Sequence, residues 1–215
     1  GSCKYSLAST FSFHAIKNIT MGEGGAITTN NLKLANKIRL NVDHGIIREK
    51  KNMINAPHNA PWYYQMNDIG WNYRASEISC ALGLSQFKRI DKILEKRSLI
   101  ANLYKYYLKK NSKIKLPNFT NKRFSNGWHL FQLNIAFNEL KIEKEKFIKY
   151  LSAHSIGSQI HYIPLVLQPY YSKQSEKKFL KGAMKFYNNT ISIPMYTNLT
   201  KKDVKYISEV INNFF

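Results

Sequence analysis

A single lysine near the start of the chain has surroundings suited to amine chemistry. Lys17 follows residues 10–13, in which polar and aromatic side chains alternate, and precedes a glycine-rich turn at residues 22–25. Alternation with a period of two predicts a strand, and glycine permits positive φ and the close approach of other groups. A lysine at the end of such a strand can point into a pocket and form a Schiff base with a carbonyl compound.

The alternative is an ordinary loop lysine in a lysine-rich protein. A lysine amine is a nucleophile only when it is neutral, which requires desolvation or a nearby positive charge. One lysine near glycines is weak evidence by itself. Residues 26–29 predict a second strand, so the segment 7–29 is expected to run from strand to loop to strand.

The composition is typical of a globular protein, with 215 residues, 44% hydrophobic and 21% charged. This length buries a good core and normally holds one or two domains. No run of about 18 apolar residues occurs, so we expect no membrane span, and no secretory signal is visible. Cys3 and Cys80 form neither a disulfide framework nor a metal-binding spacing, which fits a reducing cytoplasm. The six histidines are scattered singly, so no structural metal is predicted.

The formal charge of +20 raises the question of a nucleic-acid partner. Residues 88–115 are the densest basic run, with ten basic and two acidic side chains. Most of these lysines fall on the polar side of a helical pattern, and no nucleic-acid module is recognisable, so we predict no nucleic-acid partner. A positive field would attract an anionic small molecule. A non-catalytic basic interaction module remains the alternative function.

Periodicity divides the chain into two halves that differ in organisation. In the first half, residues 32–40 predict a helix, 44–68 an irregular segment interrupted by two prolines, and 77–110 a long helix that breaks or spans two domains, with Ser76 as its N-cap. In the second half we predict a polar connection at 117–127, strands at 129–137, 157–162 and 191–193, helices at 143–153 and 177–187, and a final helix after a capping box of Thr200 and Asp203. This half is expected to be an α+β unit with a small antiparallel or mixed sheet.

Several motifs together resemble one enzyme family. They are the run SFHAIKNITMGEGGAITTNN with Lys17, followed by DHG at 43–45, GWNYR at 70–74, ALGLSQ at 81–86, His161-Tyr162 with Pro164, and SIP at 192–194. The first run is similar to the cofactor-lysine motif of the DegT/DnrJ/EryC1/StrS sugar aminotransferases, which use pyridoxal phosphate, and every fixed position is present. Residues 61–64 and 81–86 resemble most the branch that aminates the 4-keto sugar of the pseudaminic acid route.

The resemblance implies an α/β fold, namely the C-terminal part of a fold-type I aminotransferase that depends on pyridoxal phosphate. Residues 1–110 would be the remnant of the large cofactor-binding domain with its connecting helix, and 111–215 the small α+β domain. Family members carry most of their parallel strands, and further cofactor contacts, before the lysine. We therefore expect a C-terminal fragment or a truncated gene product, which exposes apolar surface where the missing strands pack.

By the same resemblance, three residues would serve the cofactor. Lys17 would form the Schiff base and then move the proton between substrate and cofactor. Ser12 would contact the phosphate, with a backbone-bonded strand serine as the alternative. Asn72 would reach across a dimer interface to the partner's cofactor phosphate, with an ordinary turn asparagine as the alternative.

Three further residues would serve the substrate. Arg74 would bind substrate phosphate or form a plain salt bridge. His161 and Tyr162 would lie near the sugar-nucleotide, whereas without the resemblance they would be core or interface residues. His14 is expected to pack, and Glu23 to bind either the backbone of the turn or a neighbouring residue.

The implied reaction transfers an amino group, with glutamate as donor, to the 4-keto group of a UDP-linked deoxyhexose. The full-length form would be a homodimer. Some members of the family lack the lysine and act as dehydratases, and the presence of Lys17 argues against that activity.

Overall fold

A computed structural model describes residues 1–118, 125–172 and 180–215. The chain divides into two compact units, Gly1–Ile90 and Asp91–Phe215. The division predicted after residue 110 concerns functional domains and stays a prediction.

The first unit contains two small antiparallel strand pairs and two helices. Residues with the predicted strand–loop–strand order form β1 and β2, and Ser12 lies opposite Gly25 in their register. The elements are β1 (Ser9–Ser12), β2 (Gly25–Thr28), α1 (Leu32–Val42), β3 (Ile46–Ile47), a 3₁₀ turn (Lys50–Asn52), β4 (Gln65–Met66) and α2 (Glu77–Phe87).

The helix starts follow from local capping. Ser76 is the N-cap of α2, as predicted, and its hydroxyl accepts a hydrogen bond from the Ser79 N–H at 3.1 Å. The segment 44–68 is not wholly irregular, since β3 pairs with β4. Two-residue strands are too short to show alternation in a sequence.

The predicted long helix breaks, which is one of the two outcomes expected. Helix α2 ends at Phe87, and α3 (Ile90–Leu108) begins after Lys88 and Arg89.

The second unit is an antiparallel sheet covered by helices. Its strands, in the order β5-β6-β7, settle the predicted choice between an antiparallel and a mixed sheet. The elements that follow α3 are β5 (Ile114–Lys115), β6 (Phe131–Ile135), α4 (Lys144–Ala153), a 3₁₀ turn (Leu165–Leu167), α5 (Pro169–Ser172), α6 (Lys181–Asn189), β7 (Thr190–Ile193) and α7 (Lys201–Phe214).

The core of this unit forms around the central strand. Phe131, Leu133 and Ile135 alternate along β6 and are fully buried. Side chains from three helices complete the cluster: Tyr104 and Leu108 of α3, Phe147 and Leu151 of α4, and Val204 and Ile211 of α7. Burial of a large apolar side chain contributes about 1.5–3 kcal/mol, so this cluster is the main source of stability in the unit.

The strand predicted at 157–162 is wrong. Only an isolated bridge joins Gln159 to Ser192 of β7, with hydrogen bonds of 3.1 and 2.8 Å. The segment contacts the edge of the sheet at one residue only, so it does not form a strand. The predicted helix at 177–187 corresponds to α6, and its residues 177–179 lie outside the described part of the chain, as do residues 119–124 of the predicted connection.

The first unit buries little apolar surface. Within residues 1–90, all of them described, the buried hydrophobic side chains are Ile19, Met21 and Ala60. Large apolar side chains lie exposed along the same unit, among them Leu7, Phe11, Ile27, Leu32, Trp62, Tyr64, Ile69, Trp71, Tyr73, Ile78, Leu84 and Phe87. This matches the expected exposed apolar surface.

The described ranges contain neither a helix suited to span a membrane nor a cluster suited to bind a metal ion. None of the helices in residues 1–118, 125–172 and 180–215 has the length and apolar character needed to cross a membrane. The same ranges contain no group of three or more His, Cys, Asp or Glu side chains placed to hold a metal ion.

The start of α7 makes stability depend on pH. The Thr200 backbone N–H and hydroxyl donate to the Asp203 carboxylate at 2.8 and 2.7 Å, and the backbone hydrogen bond first, then the hydroxyl, holds the pKa of Asp203 below its ordinary value. A group whose pKa is depressed by folding contributes stability above its unfolded pKa, and that contribution is lost as the pH falls through the folded pKa. We expect Asp203→Asn to lower the free energy of unfolding at neutral pH, and the difference to begin to shrink below about pH 4 and to be lost as the pH falls through the depressed folded pKa.

Urea denaturation at several pH values measures this effect. The matched control is Glu209→Gln, an exposed position on the same helix. An Asp203→Asn difference that stays constant from neutral to acid pH would contradict the cap as its origin.

The pairing of β1 with β2 depends on Gly25. A Cβ at this position would lie 2.4 Å from the Phe11 carbonyl oxygen, a backbone atom of the paired strand. We expect Gly25→Ala to destabilise the first unit by about 1–3 kcal/mol, because the strands must separate to admit the methyl group. The control is Gly157→Ala, where a Cβ meets nothing within 4 Å.

Hydrogen exchange measures the separation at the amide of Phe13, which donates to the Gly24 carbonyl at 2.9 Å. Unchanged protection of this amide in Gly25→Ala would rule out the steric argument.

Candidate functional site

Backbone hydrogen bonds close the loop that carries Lys17. Phe13 N–H donates to the Gly24 carbonyl, and Met21 N–H donates to the Phe13 carbonyl, each at 2.9 Å. Within the loop, Lys17 N–H donates to the His14 carbonyl at 2.9 Å. The lysine therefore stands on a turn fixed at both ends by the β1–β2 pair.

Two side chains of the loop are buried and hold it against the rest of the unit. Ile19 and Met21 are the buried residues of this segment. Gly24 adopts φ +148°, and a Cβ there would lie 2.6 Å from the Met21 sulfur. A Cβ on Gly83 of α2 would lie 3.2 Å from the Met21 Cβ, so the missing side chain of this helical glycine lets α2 approach the loop.

The Lys17 amine is available for chemistry. The side chain is half-buried, and it makes no hydrogen bond or ion pair to any of the residues that the structure describes. The carboxylate of the same loop, Glu23, lies instead 3.5 Å from His14 Nε2. Because the Glu23 carboxylate faces His14, no carboxylate of this loop forms an ion pair with the Lys17 amine.

Ser12 ends β1 and is exposed. Its hydroxyl lies 3.4 Å from the His14 backbone N–H, a long hydrogen bond in which the hydroxyl oxygen accepts. This contact is the backbone-bonded serine named as the alternative, yet it leaves the hydroxyl proton available for a ligand. A phosphate-binding role for Ser12 stays a prediction.

Asn72 is held by its backbone and presents its side chain outward. It forms an antiparallel bridge with Asp43, and hydrogen bonds of 2.8 and 3.0 Å on either side join Trp71 to Asn41 and Tyr73 to Val42. The Asn72 side chain is exposed, and no residue in the described ranges hydrogen-bonds to it. This geometry is compatible with a contact to another subunit, which stays a prediction.

Arg74 forms an ion pair with Asp43, which also contacts Arg48 at 2.7 Å. Partial desolvation acts to raise the pKa of Asp43, but the hydrogen bonds and charges of Arg48 and Arg74 outweigh it and leave the pKa below its ordinary value. Arg74 thus forms the salt bridge predicted as one of its two roles, and binding of substrate phosphate stays a prediction.

His161 and Tyr162 lie in the second unit, beside the end of the bridge to β7. His161 Nδ1 lies 2.8 Å from the Ser192 hydroxyl. The rings of His161 and Tyr162 are nearly perpendicular, with centroids 4.7 Å apart, and Tyr162 is 67% exposed. The tyrosine is therefore not a core residue, and its contact with substrate stays a prediction.

The structure brings Lys17 and Ser12 into one loop and its supporting strand, whereas Asn72 and Arg74 share a second segment of the same unit. Sequence reasoning missed two residues. Asp43 lies in the DHG motif, but nothing in the sequence showed that it pairs with Arg48 and with Arg74, which is 31 residues away. Ser192 lies in the SIP motif, and nothing in the sequence showed its contact with His161.

Lys17 and Ser12 fit pyridoxal phosphate by the chemistry of their donors. An unpaired primary amine suits the aldehyde of this cofactor, and an exposed hydroxyl at the end of a strand suits its phosphate. The engagement of Glu23 with His14 supports the fit, because it leaves the amine without a competing carboxylate.

Comparisons with known proteins agree on one family. The profile of the DegT/DnrJ/EryC1/StrS aminotransferase family matches residues 1–212. A Campylobacter jejuni protein named UDP-4-amino-4,6-dideoxy-N-acetyl-beta-L-altrosamine transaminase is 36% identical over 94% of this chain and 51% of its own length. The spore coat polysaccharide biosynthesis protein SpsC of Bacillus subtilis is 32% identical over 96% of this chain and 53% of its own.

A solved structure shows the same fold. Helicobacter pylori PseC, described as an aminotransferase involved in the biosynthesis of pseudoaminic acid, superposes with a TM-score of 0.87 and 31% identity, over 98% of this chain and 54% of that one. The chain spans about half the length of the curated relatives it matches. Its mixed helices and strands are those of the aminotransferases that depend on pyridoxal phosphate, and the chain belongs to the DegT/DnrJ/EryC1/StrS aminotransferase family.

Proposed function

We propose that this chain supplies the cofactor-binding lysine and the small α+β unit of an aminotransferase that acts on a nucleotide-linked keto sugar. The observation that carries the proposal is the Lys17 amine. It stands on a loop closed by backbone hydrogen bonds, and it is not paired with the carboxylate of that loop. Family membership over residues 1–212 supports the same function.

Lys17 has two tasks in this proposal. Its amine would hold the cofactor through the cofactor's aldehyde carbon. Once the amine of the amino donor has displaced it there, the free lysine amine would take the proton from Cα of the donor and deliver it to C4′ of the cofactor. Bound pyridoxal phosphate supplies the electron sink that makes this proton removable. The hydrogen bond from Lys17 N–H to the His14 carbonyl fixes the backbone from which the amine reaches. Ser12 orients the phosphate through its hydroxyl.

The substrate is proposed to be a UDP-linked deoxyhexose with a keto group at C4, and glutamate is the proposed amino donor. The name of the Campylobacter jejuni relative supports this sugar class. The charge of +20 supports an anionic nucleotide-sugar, because a positive field attracts it to the protein. In this proposal His161 and Tyr162 bind the sugar-nucleotide. Arg74 binds a phosphate of the substrate once the ion pair between Arg74 and Asp43 has opened.

A second copy of the protein is proposed to complete the site. The backbone of Asn72 is held by its bridge to Asp43. Its side chain is exposed and has no partner among the residues described. An exposed amide without a partner in the described ranges supports the proposal that Asn72 binds the cofactor phosphate of a partner subunit.

The experiment is borohydride reduction of the protein expressed from its complete reading frame. The wild type should take up pyridoxal phosphate, and reduction should fix the cofactor covalently on Lys17, as peptide mass spectrometry would show. Lys17→Ala should carry no fixed cofactor and lose at least about 10³-fold in transamination rate, because it lacks both the attachment point and the base.

The matched control is Lys33→Ala, an exposed lysine on α1. It should retain both the fixed cofactor and the activity. Covalent cofactor in Lys17→Ala, or a label on another lysine in the wild type, would contradict the assignment of Lys17 as the Schiff-base lysine.

A further inference from the structure

The imidazole of His14 is bonded to the turn that carries Lys17. The Lys17 N–H donates to the His14 carbonyl at 2.9 Å, so residues 14–17 form a turn with His14 at its first position. Within this turn, His14 Nδ1 accepts a hydrogen bond from the backbone N–H of Ile16 at 3.4 Å. One residue therefore supplies both a main-chain and a side-chain acceptor to the turn.

The side-chain contact of His14 has a counterpart in many turns. Asn, Asp and Ser are favoured at the first position because their side-chain oxygen accepts from the backbone N–H two residues later. The Nδ1 of His14 is bonded to Cγ, as Oδ1 is in asparagine, and it contacts the same N–H. The N···N distance of 3.4 Å is long for a hydrogen bond, so this contact orients the turn more than it stabilises the fold.

The direction of this hydrogen bond follows from its donor. A backbone N–H can only donate, so Nδ1 of His14 accepts, and the proton of the neutral ring is on Nε2. The Nε2 atom lies 3.5 Å from the carboxylate of Glu23, which is an acceptor. Each ring nitrogen therefore faces a partner of the matching kind, and the ring is oriented from two sides.

The backbone of His14 also contacts Ser12. The His14 N–H donates to the Ser12 hydroxyl at 3.4 Å, while the His14 carbonyl accepts from Lys17. We propose that His14 is a positioning residue, whose Nδ1 closes the turn and so fixes the backbone of Lys17 relative to the Ser12 hydroxyl. This inference rests on the proposed function, which makes Lys17 and Ser12 contacts of the cofactor.

Two substitutions separate the acceptor at Nδ1 from the rest of the imidazole. His14→Asn retains an acceptor at the position of Nδ1 and has nothing at the position of Nε2. His14→Gln carries its amide near the position of Nε2 and has no acceptor at that of Nδ1. If turn closure is the role of His14, the asparagine variant should resemble the wild type and the glutamine variant should not.

Hydrogen exchange of the protein expressed from its complete reading frame measures the turn itself. In His14→Gln the Lys17 amide should exchange about tenfold faster than in the wild type, because the turn has lost a hydrogen bond. In His14→Asn its rate should stay within about twofold. The matched control is His58→Gln, an exposed histidine of the same unit, which should leave this amide unchanged. Unchanged exchange in His14→Gln, or equal acceleration in both variants of His14, would overturn the proposal.

Nitrogen NMR of protein labelled at histidine determines the tautomer of His14. The spectra are recorded at about pH 8.5, where an ordinary imidazole is neutral, and the His14 signals are assigned by their loss in His14→Gln. We expect the proton on Nε2. His154 is an internal reference with the opposite tautomer, because its Nδ1 lies 2.9 Å from the Tyr150 carbonyl, which can only accept. A wild-type His14 with its proton on Nδ1 would contradict the turn contact.

Kinetics connect the turn to the reaction. His14→Gln should lower kcat at least about tenfold with KM for the UDP-sugar within about twofold, because the Lys17 amine is displaced while the substrate contacts remain. Borohydride should still fix the cofactor on Lys17 in this variant. His14→Asn should keep kcat within about threefold of the wild type. Equal losses of kcat in the two variants would show that the imidazole itself is needed and would overturn a role through Nδ1 alone.

The two proposals fail in different ways. A wild-type protein without fixed cofactor on Lys17 would overturn the proposed function, and the hydrogen exchange and NMR results would still decide whether His14 closes the turn. An active enzyme in which His14→Gln retains both kcat and the protection of the Lys17 amide would overturn the role of His14 alone.

Discussion

A buried arginine joins the parts of the second unit that are distant in sequence. The Arg97 guanidinium of α3 donates to the carbonyls of Trp128 and Met195 at 2.8 and 3.1 Å. None of the described carboxylates pairs with it, so carbonyl dipoles balance its charge, and burial lowers its pKa. Trp128 precedes β6 and Met195 follows β7, so one side chain fixes the ends of both strands. The position of Ser192, and through it that of His161, depends on this constraint.

The first unit is stabilised differently. Its lysine loop is held by main-chain hydrogen bonds between Phe13 and its neighbours, with a small apolar contact through Met21. Such bonds contribute about 1 kcal/mol each and define geometry more than they supply stability. The loop therefore has a precise backbone within a unit that buries little apolar surface.

The sequence predicted the features that depend on local chemistry. Ser76 and Thr200 were recognised as caps because capping needs only neighbouring backbone groups, and β6 was recognised from its alternation. The features that depend on distant partners were missed or wrong. The short strands β3 and β4 arise from their mutual pairing, and the segment before His161 meets β7 at a single bridge rather than as a strand. In the candidate site, Lys17 was found through its motif, whereas Ser192 became a histidine partner only once folding had brought it there.

The tryptophans of the two units have opposite environments. Trp62 and Trp71 of the first unit are 77% and 51% exposed, whereas Trp128 of the second is 7% exposed, with the Lys105 ammonium 4.7 Å from its ring centroid. A buried indole emits at shorter wavelength than a hydrated one. The blue edge of the intrinsic fluorescence therefore reports on the second unit, and quenching of the red edge reports on the surface of the first. The intrinsic tryptophan fluorescence therefore allows the folding of each unit to be followed separately.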